Sequence, residues 1–147
     1  MSEAIEANHP IIGIWRLTRF VEQDLATGVV THPLGPRPKA YVIYTDGGYV
    51  STLFTATDRR VPVNAQATDE EAVGLYRSMV AFAGRYALQG DTLIYYPEIS
   101  WNEAWNGTTQ QRRFVVDGDR LEVRSAPVVG TLTGAQTVFS LTWERAP

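Results

Sequence analysis

Short segments rich in β-branched and aromatic residues recur along the chain, and each is bounded by Gly, Asp, Asn or Pro. This pattern is typical of β-strands, because such side chains suit a pleated sheet while the bounding residues suit turns. The predicted strands cover residues 12–21, 40–45, 48–55, 85–88, 92–98, 108–116, 120–125 and 136–144. The pattern therefore predicts an all-β protein of about eight strands.

Tight turns join several of these strands. The turns at residues 46–48, 89–91 and 117–119 contain Gly beside Asp or Gln, and Gly and Asp tolerate a positive φ. Successive hairpins make an antiparallel meander, and closing about eight strands removes the exposed edges and leaves room for one small ligand. We therefore predict a closed antiparallel β-barrel.

One helix interrupts the predicted strands, over residues 68–83. Thr68 is followed three residues later by Glu71, which is the form of a capping box. The apolar residues that follow keep helical spacing, and they are Ala72, Leu75, Tyr76, Met79, Phe82 and Ala83. Gly84 suits the end of a helix. We expect this helix to cover the barrel, or to act as a lid whose aromatic face closes the pocket.

Composition narrows the class of protein. The 147 residues are 44% hydrophobic, which fits one domain, with a flexible tail at residues 1–10 and the barrel at 11–147. The net charge of -3 and the absence of a basic run argue against a nucleic-acid partner. No apolar run is long enough to span a bilayer, and the acidic N-terminus does not resemble a secretory signal, so we expect no membrane partner and a cytoplasmic location.

Several motifs resemble one known family. Residues 13–15 read Gly-Ile-Trp and fit the Gly-x-Trp opening of lipocalins, while residues 42–51, 81–86, 118–121 and 141–145 continue the pattern in order. Over nearly its full length the chain resembles the bacterial and fungal lipocalin-like domain family. The resemblance implies a lipocalin-like β-barrel. It also implies binding of a hydrophobic ligand, since related barrels bind such ligands and some act as cofactor-free cyclases or isomerases.

The resemblance also implies a structural role for one pair of residues. In lipocalins the early tryptophan packs under an arginine of the last strand, which suggests that Trp15 and Arg145 close one end of the barrel. The chain departs from the family where paired histidines often occur in the fifth strand, because it has Tyr95 and Tyr96 there. A proline often found before the loop tryptophan is replaced by Glu103. Histidine chemistry at that strand is therefore excluded.

Strand alternation suggests a candidate catalytic cluster. It places Tyr96 and Glu98 on one face of the fifth strand, and Gln110 and Arg112 on one face of the sixth. If both faces look inward, Glu98 and Tyr96 could transfer a proton while Arg112 orients a ligand oxygen. The alternatives are a structural ion pair or two faces that point to solvent.

Aromatic and polar residues near the turns and loops are candidates for ligand binding. A tyrosine inside a barrel offers an apolar ring and one hydrogen-bonding group, and loop tryptophans and a loop histidine could reach the mouth. The candidates are Tyr44, Tyr49, Tyr86, Trp101, Trp105, Gln110 and His32. Ordinary core packing for the tyrosines and a solvated surface for His32 stay open as alternatives.

Two functions fit this pattern, and a purely structural or oligomerising barrel is a third alternative. The barrel either binds or carries a small, largely apolar organic molecule, or it acts on a natural-product intermediate as a cofactor-independent isomerase or cyclase. No nucleotide-binding, metal-binding or nucleophile-elbow motif is present, so we expect neither a cofactor nor a metal. The sequence leaves a homodimer open and does not identify the ligand.

Overall fold

The computed structural model describes residues 5–129 and 135–147. Within these residues the chain forms ten β-strands, one α-helix and one short 3-10 helix. In chain order they are β1 (Gly13–Asp24), β2 (Val30–Thr31), β3 (Lys39–Tyr44), β4 (Tyr49–Thr55), α1 (Asp69–Arg77), β5 (Met79–Gln89), β6 (Thr92–Ser100), the 3-10 helix (Glu103–Trp105), β7 (Gln110–Asp117), β8 (Arg120–Ser125), β9 (Val128–Val129) and β10 (Gln136–Arg145).

Eight of these strands close into an antiparallel barrel. The order around the barrel is β1, β3, β4, β5, β6, β7, β8 and β10, and β10 pairs with β1 to complete the circle. The two-residue strands β2 and β9 pair with the ends of β1 and β10. This arrangement confirms the predicted closed barrel of about eight strands.

The N-terminal segment closes one end of the barrel. Trp15 is fully buried, and its indole Nε1 donates a hydrogen bond of 2.8 Å to the carbonyl of Ile11. The Arg145 guanidinium carbon lies 4.2 Å from the centre of the Trp15 ring, and its nitrogens donate to the carbonyls of Ile12 and Pro10. The predicted structural role of Trp15 and Arg145 is therefore confirmed.

The predicted N-terminal tail is only partly described, because residues 1–4 lie outside the described residues. Ile5 packs against the core, and the ring of His9 lies 6.1 Å from that of Phe114. The flexibility of residues 1–10 stays a prediction.

The opposite end, called the mouth here, lies where β1 ends at Asp24 and where the longer connections meet. The Pro-rich loop at 32–38 is held there, since the Leu34 carbonyl accepts a hydrogen bond from the backbone of Thr57, just beyond β4. The loop that carries Trp101 and Trp105 follows β6 at the same end. Both loops therefore lie at the mouth.

Helix α1 is shorter than the sequence predicts. The capping box is confirmed, because the Thr68 hydroxyl accepts from the Glu71 amide and the Glu71 carboxylate accepts from the Thr68 amide. The helix ends at Arg77, and the residues from Met79 onward belong to β5. The predicted helix is therefore present, but its predicted extent over residues 68–83 is wrong. None of its nine residues is buried, and the Tyr76 ring lies 6.4 Å from that of Trp101.

The residues assigned to the end of that helix instead pair with two strands. Phe82 lies opposite Thr52 of β4 and Ser100 of β6, and these ladders satisfy its backbone groups. Gly84 does not end a helix. A Cβ there would collide with the carbonyl oxygen of Tyr96, so glycine allows the close approach of β5 and β6 at a β-bulge.

Candidate functional site

A continuous series of aromatic rings runs from the closed end through the interior of the barrel to the mouth, where its last member, Tyr76, lies exposed on helix α1. Neighbouring ring centres lie between 4.9 Å and 6.5 Å apart, and the members in order are Tyr86, Tyr44, Tyr95, Phe82, Trp105, Trp101 and Tyr76. A second group packs elsewhere in the interior and contains Phe139, Phe20, Phe54 and Trp143. These rings make the interior of the barrel apolar and aromatic.

Two tyrosines form a polar pair within this wall. The hydroxyl groups of Tyr44 and Tyr95 lie 2.6 Å apart and share a hydrogen bond. Burial raises the pKa of Tyr95 to about 12 and raises the pKa of Tyr44 well above its ordinary value, so both phenols stay protonated at neutral pH. The pair can therefore offer a proton to a ligand oxygen.

Arg112 places a positive charge beside this pair. Arg112 shares the inward face of β7 with the buried Phe114, and it pairs with Leu93, which lies two residues before Tyr95 on β6. Burial lowers the pKa of Arg112, and its positive charge lowers the pKa of both Tyr44 and Tyr95. The guanidinium donates to the side-chain carbonyl of Gln110 at 3.1 Å and to the backbone carbonyl of Gln111 at 2.8 Å. Among the described residues, ion pairs form at other arginines and none forms at Arg112. Its charge is therefore open to an acceptor on a ligand.

The structure corrects the placement of Glu98 and Tyr96. The inward face of β6 carries Tyr95 and the buried Pro97, while Glu98 points outward. The Glu98 carboxylate lies 3.9 Å from the Arg85 guanidinium, and both side chains are about half exposed. Tyr96 lies opposite the exposed Arg85 and shares its outward side. Glu98 and Arg112 therefore do not converge, and the predicted catalytic cluster is wrong in its geometry.

Tyr49 is also outside the barrel. Its ring is 47% exposed, and its hydroxyl accepts a hydrogen bond of 2.7 Å from Arg85. The expectation that Tyr49 lines the pocket is wrong, because alternation along β4 turns the neighbouring Val50 inward instead.

The remaining predicted ligand-binding residues fall into three groups. Tyr44, Gln110, Trp101 and Trp105 contribute to the inner wall or the mouth. Tyr86 is buried inside. Its hydroxyl donates to the carbonyl of Thr45 at 2.6 Å, so its proton is already used in a hydrogen bond near the closed end. His32 is exposed on the Pro-rich loop and does not line the interior. A contact of His32 with a ligand stays a prediction.

Sequence reasoning missed two interior groups, Tyr95 and Glu22. Both faces of β6 carry large apolar or aromatic side chains, so alternation alone could not decide between Tyr95 and Tyr96. Glu22 is 2% exposed and lies on the inner side of β1. A bulge at Thr18, which lies between paired residues Leu17 and Arg19, shifts the alternation of β1 and turns Glu22 inward. No local signal in the sequence marks that bulge.

In residues 5–129 and 135–147, no group of three or more His, Asp or Glu side chains is placed to hold a metal ion. No helix within the same ranges is long and apolar enough to cross a membrane.

Comparison with known proteins agrees with this architecture. A model of the lipocalin-like domain family matches residues 12–146, and the chain therefore belongs to that family. The chain is also similar to the 4'-hydroxy-3'-methoxypropiophenone carrier protein ppsC of Aspergillus oryzae. The two are 33% identical over 89 residues, which cover 54% of this chain and 78% of the relative.

Proposed function

We propose that the barrel binds one small aromatic molecule and holds one of its oxygen atoms through Arg112. The observation that carries the proposal is a guanidinium on the inward face of β7, next to the strand that carries Tyr95, and without a carboxylate partner among the described residues. Its two hydrogen bonds, to the side chain of Gln110 and the backbone of Gln111, leave other N–H donors of the guanidinium without a partner among the described residues. A carbonyl or other acceptor oxygen on a ligand would supply that partner.

The aromatic series supports the choice of ligand class. Phe82 and Trp105 lie between the Tyr44–Tyr95 pair and the mouth, so a ring bound above Arg112 would contact aromatic faces. The relative from Aspergillus oryzae is named as a carrier of an aromatic ketone, which has both the ring and the acceptor oxygen. We extend that ligand class to this chain, with carrying or sequestering the ketone as its function.

A cofactor-independent isomerase is the second candidate. Arg112 and the tyrosine pair are placed to stabilise the negative oxygen of an enolate, which is the intermediate that forms when a ketone loses an α-proton. Because Glu98 lies on the outer surface, it is not the base that removes this proton. Natural-product metabolism, a cytoplasmic location and a homodimer stay predictions.

The two candidates differ in proton exchange. An isomerase would exchange the α-protons of propiophenone for deuterium from heavy water faster than buffer alone, and NMR detects that exchange. A carrier leaves the exchange at the buffer rate. We expect the carrier result, and catalysed exchange that is lost in Arg112→Met would establish the isomerase instead.

Calorimetric titration with 4'-hydroxy-3'-methoxypropiophenone tests the binding proposal. We expect one molecule to bind per chain, and we expect Arg112→Met to weaken binding roughly 10- to 100-fold, the value of hydrogen bonds to a charged group. Arg113→Met is the matched control, because Arg113 is the next residue and pairs with Asp91 on the outer surface. Equal affinities for the two variants would refute the role of Arg112, and no binding to the parent protein would refute this ligand class.

A further inference from the structure

Glu22 is a buried carboxylate that the proposed site does not yet use. Its side chain is 2% exposed, and its Oε1 atom is shielded from solvent without a hydrogen-bond partner in the part of the chain that the structure describes. Most buried polar atoms in folded proteins have a partner, because an unpaired one loses its contacts with water and gains nothing in return. An exception of this kind calls for an explanation.

The pairing of β1 with β10 shows that Glu22 faces the interior. Phe20, Val21 and Glu22 pair in regular register with three successive residues of β10, so no bulge interrupts this stretch. The ring of Phe20 contacts the rings of Phe54 and Phe139 inside the barrel. Because side chains two residues apart share a face, Glu22 lies on the same inner wall as Phe20.

Glu22 and Arg112 stand on well-separated strands of that wall. Glu22 pairs with Phe139 of β10, the Phe139 amide donates to the hydroxyl of Ser125 at 2.9 Å, and Ser125 of β8 pairs with Arg112 of β7. Three strand steps of about 4.8 Å therefore separate the two residues along the wall. In a barrel of eight strands, three steps are close to half of the circumference.

The two side chains also lie at different depths. Arg112 pairs with Leu93, the second residue of β6 after the turn at the closed end. Glu22 is two residues from the end of β1 at the mouth and pairs with Thr31 of β2. The tilt of barrel strands produces such an offset along a row of paired residues. The interior is therefore donor-rich near Arg112 and acceptor-rich near Glu22.

We propose that Glu22 is a specificity-determining residue that accepts a hydrogen bond from a hydroxyl or amine at the mouth-side end of the ligand. The inference rests on the proposed binding of an aromatic molecule at Arg112. It adds which end of that molecule carries the hydrogen-bond acceptor and which end carries the donor. The preferred ligand then carries an acceptor oxygen at its inner end and a hydrogen-bond donor at its outer end. Para-hydroxylated phenyl ketones have this arrangement, whereas their para-methoxy counterparts have no donor.

The test compares three probes, which are acetophenone, 4-methoxyacetophenone and 4-hydroxyacetophenone, by calorimetric titration. We expect the parent protein to prefer the hydroxyl compound over the methoxy compound by about tenfold or more, because the hydroxyl supplies the hydrogen bond that the buried Oε1 atom lacks. Glu22→Leu removes the acceptor and should reduce that preference to near unity. Glu22→Gln keeps a neutral acceptor, and its preference should lie between those of the parent and Glu22→Leu. Glu144→Gln, an exposed position on β10, serves as the matched control and should keep the full preference.

A second measurement separates a ligand-binding role from a structural one. An unpaired buried carboxylate destabilises the free protein, so Glu22→Leu should raise the thermal midpoint without ligand. A carboxylate that holds the fold together would give a lower midpoint in the same variant.

The outcomes are distinguishable from those of the proposed function. If all three probes bind and Glu22→Leu keeps the preference of the parent, the role of Glu22 is refuted and binding at Arg112 stands. A lower thermal midpoint of Glu22→Leu also overturns the inference. If none of the probes binds the parent protein, the aromatic-ketone proposal fails and the inference about Glu22 fails with it.

Discussion

The hydroxyl groups of Tyr44 and Tyr95 lie 2.6 Å apart inside the barrel, on strands β3 and β6 that are not neighbours. Two hydroxyls carry two protons, and the hydrogen bond between them uses one. No other hydrogen bond of these hydroxyls occurs in the described part of the chain, so one proton remains to be donated. With Arg112 beside them, the pair makes a donor-rich site that suits an acceptor oxygen.

This shared hydrogen bond leads to a first prediction about stability. Tyr44→Phe and Tyr95→Phe should each lower the free energy of unfolding by about 1–2 kcal/mol, because each leaves one buried hydroxyl without its partner. The double variant should lose less than the sum of the two. Urea unfolding measures these values, and Tyr41→Phe, at a ring 54% exposed, is the control that should change little. Strict additivity would show that the two hydroxyls do not interact.

A second prediction concerns alkaline pH. The pKa of Tyr95 is about 12 in the folded protein, against about 10 for an ordinary tyrosine. The unfolded chain therefore loses this proton first as pH rises, which favours unfolding. The contribution of Tyr95 should be complete below about pH 10 and should disappear as the pH approaches about 12. Urea unfolding across this range should show that the free energy of unfolding falls more steeply with pH in the parent than in Tyr95→Phe. Parallel plots of this free energy against pH would contradict the raised pKa of Tyr95.

Trp15→Ala should be strongly destabilising. The indole is fully buried and contacts both the Ile11 carbonyl and the Arg145 guanidinium, so truncation leaves a cavity at the closed end. We expect a loss of roughly 3–5 kcal/mol, as for other buried aromatic truncations. Trp101→Ala, at a partly exposed tryptophan of the mouth, should cost clearly less. Equal thermal midpoints for Trp15→Ala and the parent would contradict the structural role.

Glu98→Gln should leave ligand binding unchanged. The carboxylate lies on the outer surface, 3.9 Å from Arg85, with 56% of its side chain exposed. Exposed ion pairs contribute about 0–1 kcal/mol, so the effect on stability should also be small. Titration with 4'-hydroxy-3'-methoxypropiophenone and thermal unfolding check both expectations. A loss of binding in this variant would mean that the outer face of β6 belongs to the site.

Strand periodicity and turn chemistry were sufficient to predict the barrel, but not the end of the helix. Met79, Val80, Ala81, Phe82 and Ala83 are all apolar, so they satisfy the spacing of a helix and of a strand buried on both sides. The choice between helix and strand depends on pairing with β4 and β6, whose residues are distant from this segment in the sequence. Contacts with distant strands therefore determine the secondary structure of this segment, which the local sequence pattern alone does not.

The sequence predicted only part of the candidate site, because pairing between distant strands also decides which side chains face inward. Arg112 and Phe114 share an inward face of β7 because no bulge disturbs their alternation. Glu22 was missed because strict alternation from Trp15 would turn it outward, and the bulge at Thr18 reverses that assignment. A shift of one residue in the pairing moves every following side chain to the other face. This bulge arises in the pairing of β1 with β10, which is distant in the sequence.

A crystal structure of the protein with 4'-hydroxy-3'-methoxypropiophenone tests the central claim most directly. We expect one molecule inside the barrel, with its ring against Phe82 and Trp105 and one oxygen within about 3.2 Å of the Arg112 guanidinium. A ligand bound on the outer surface, or bound inside with no oxygen near Arg112, would contradict the proposed function.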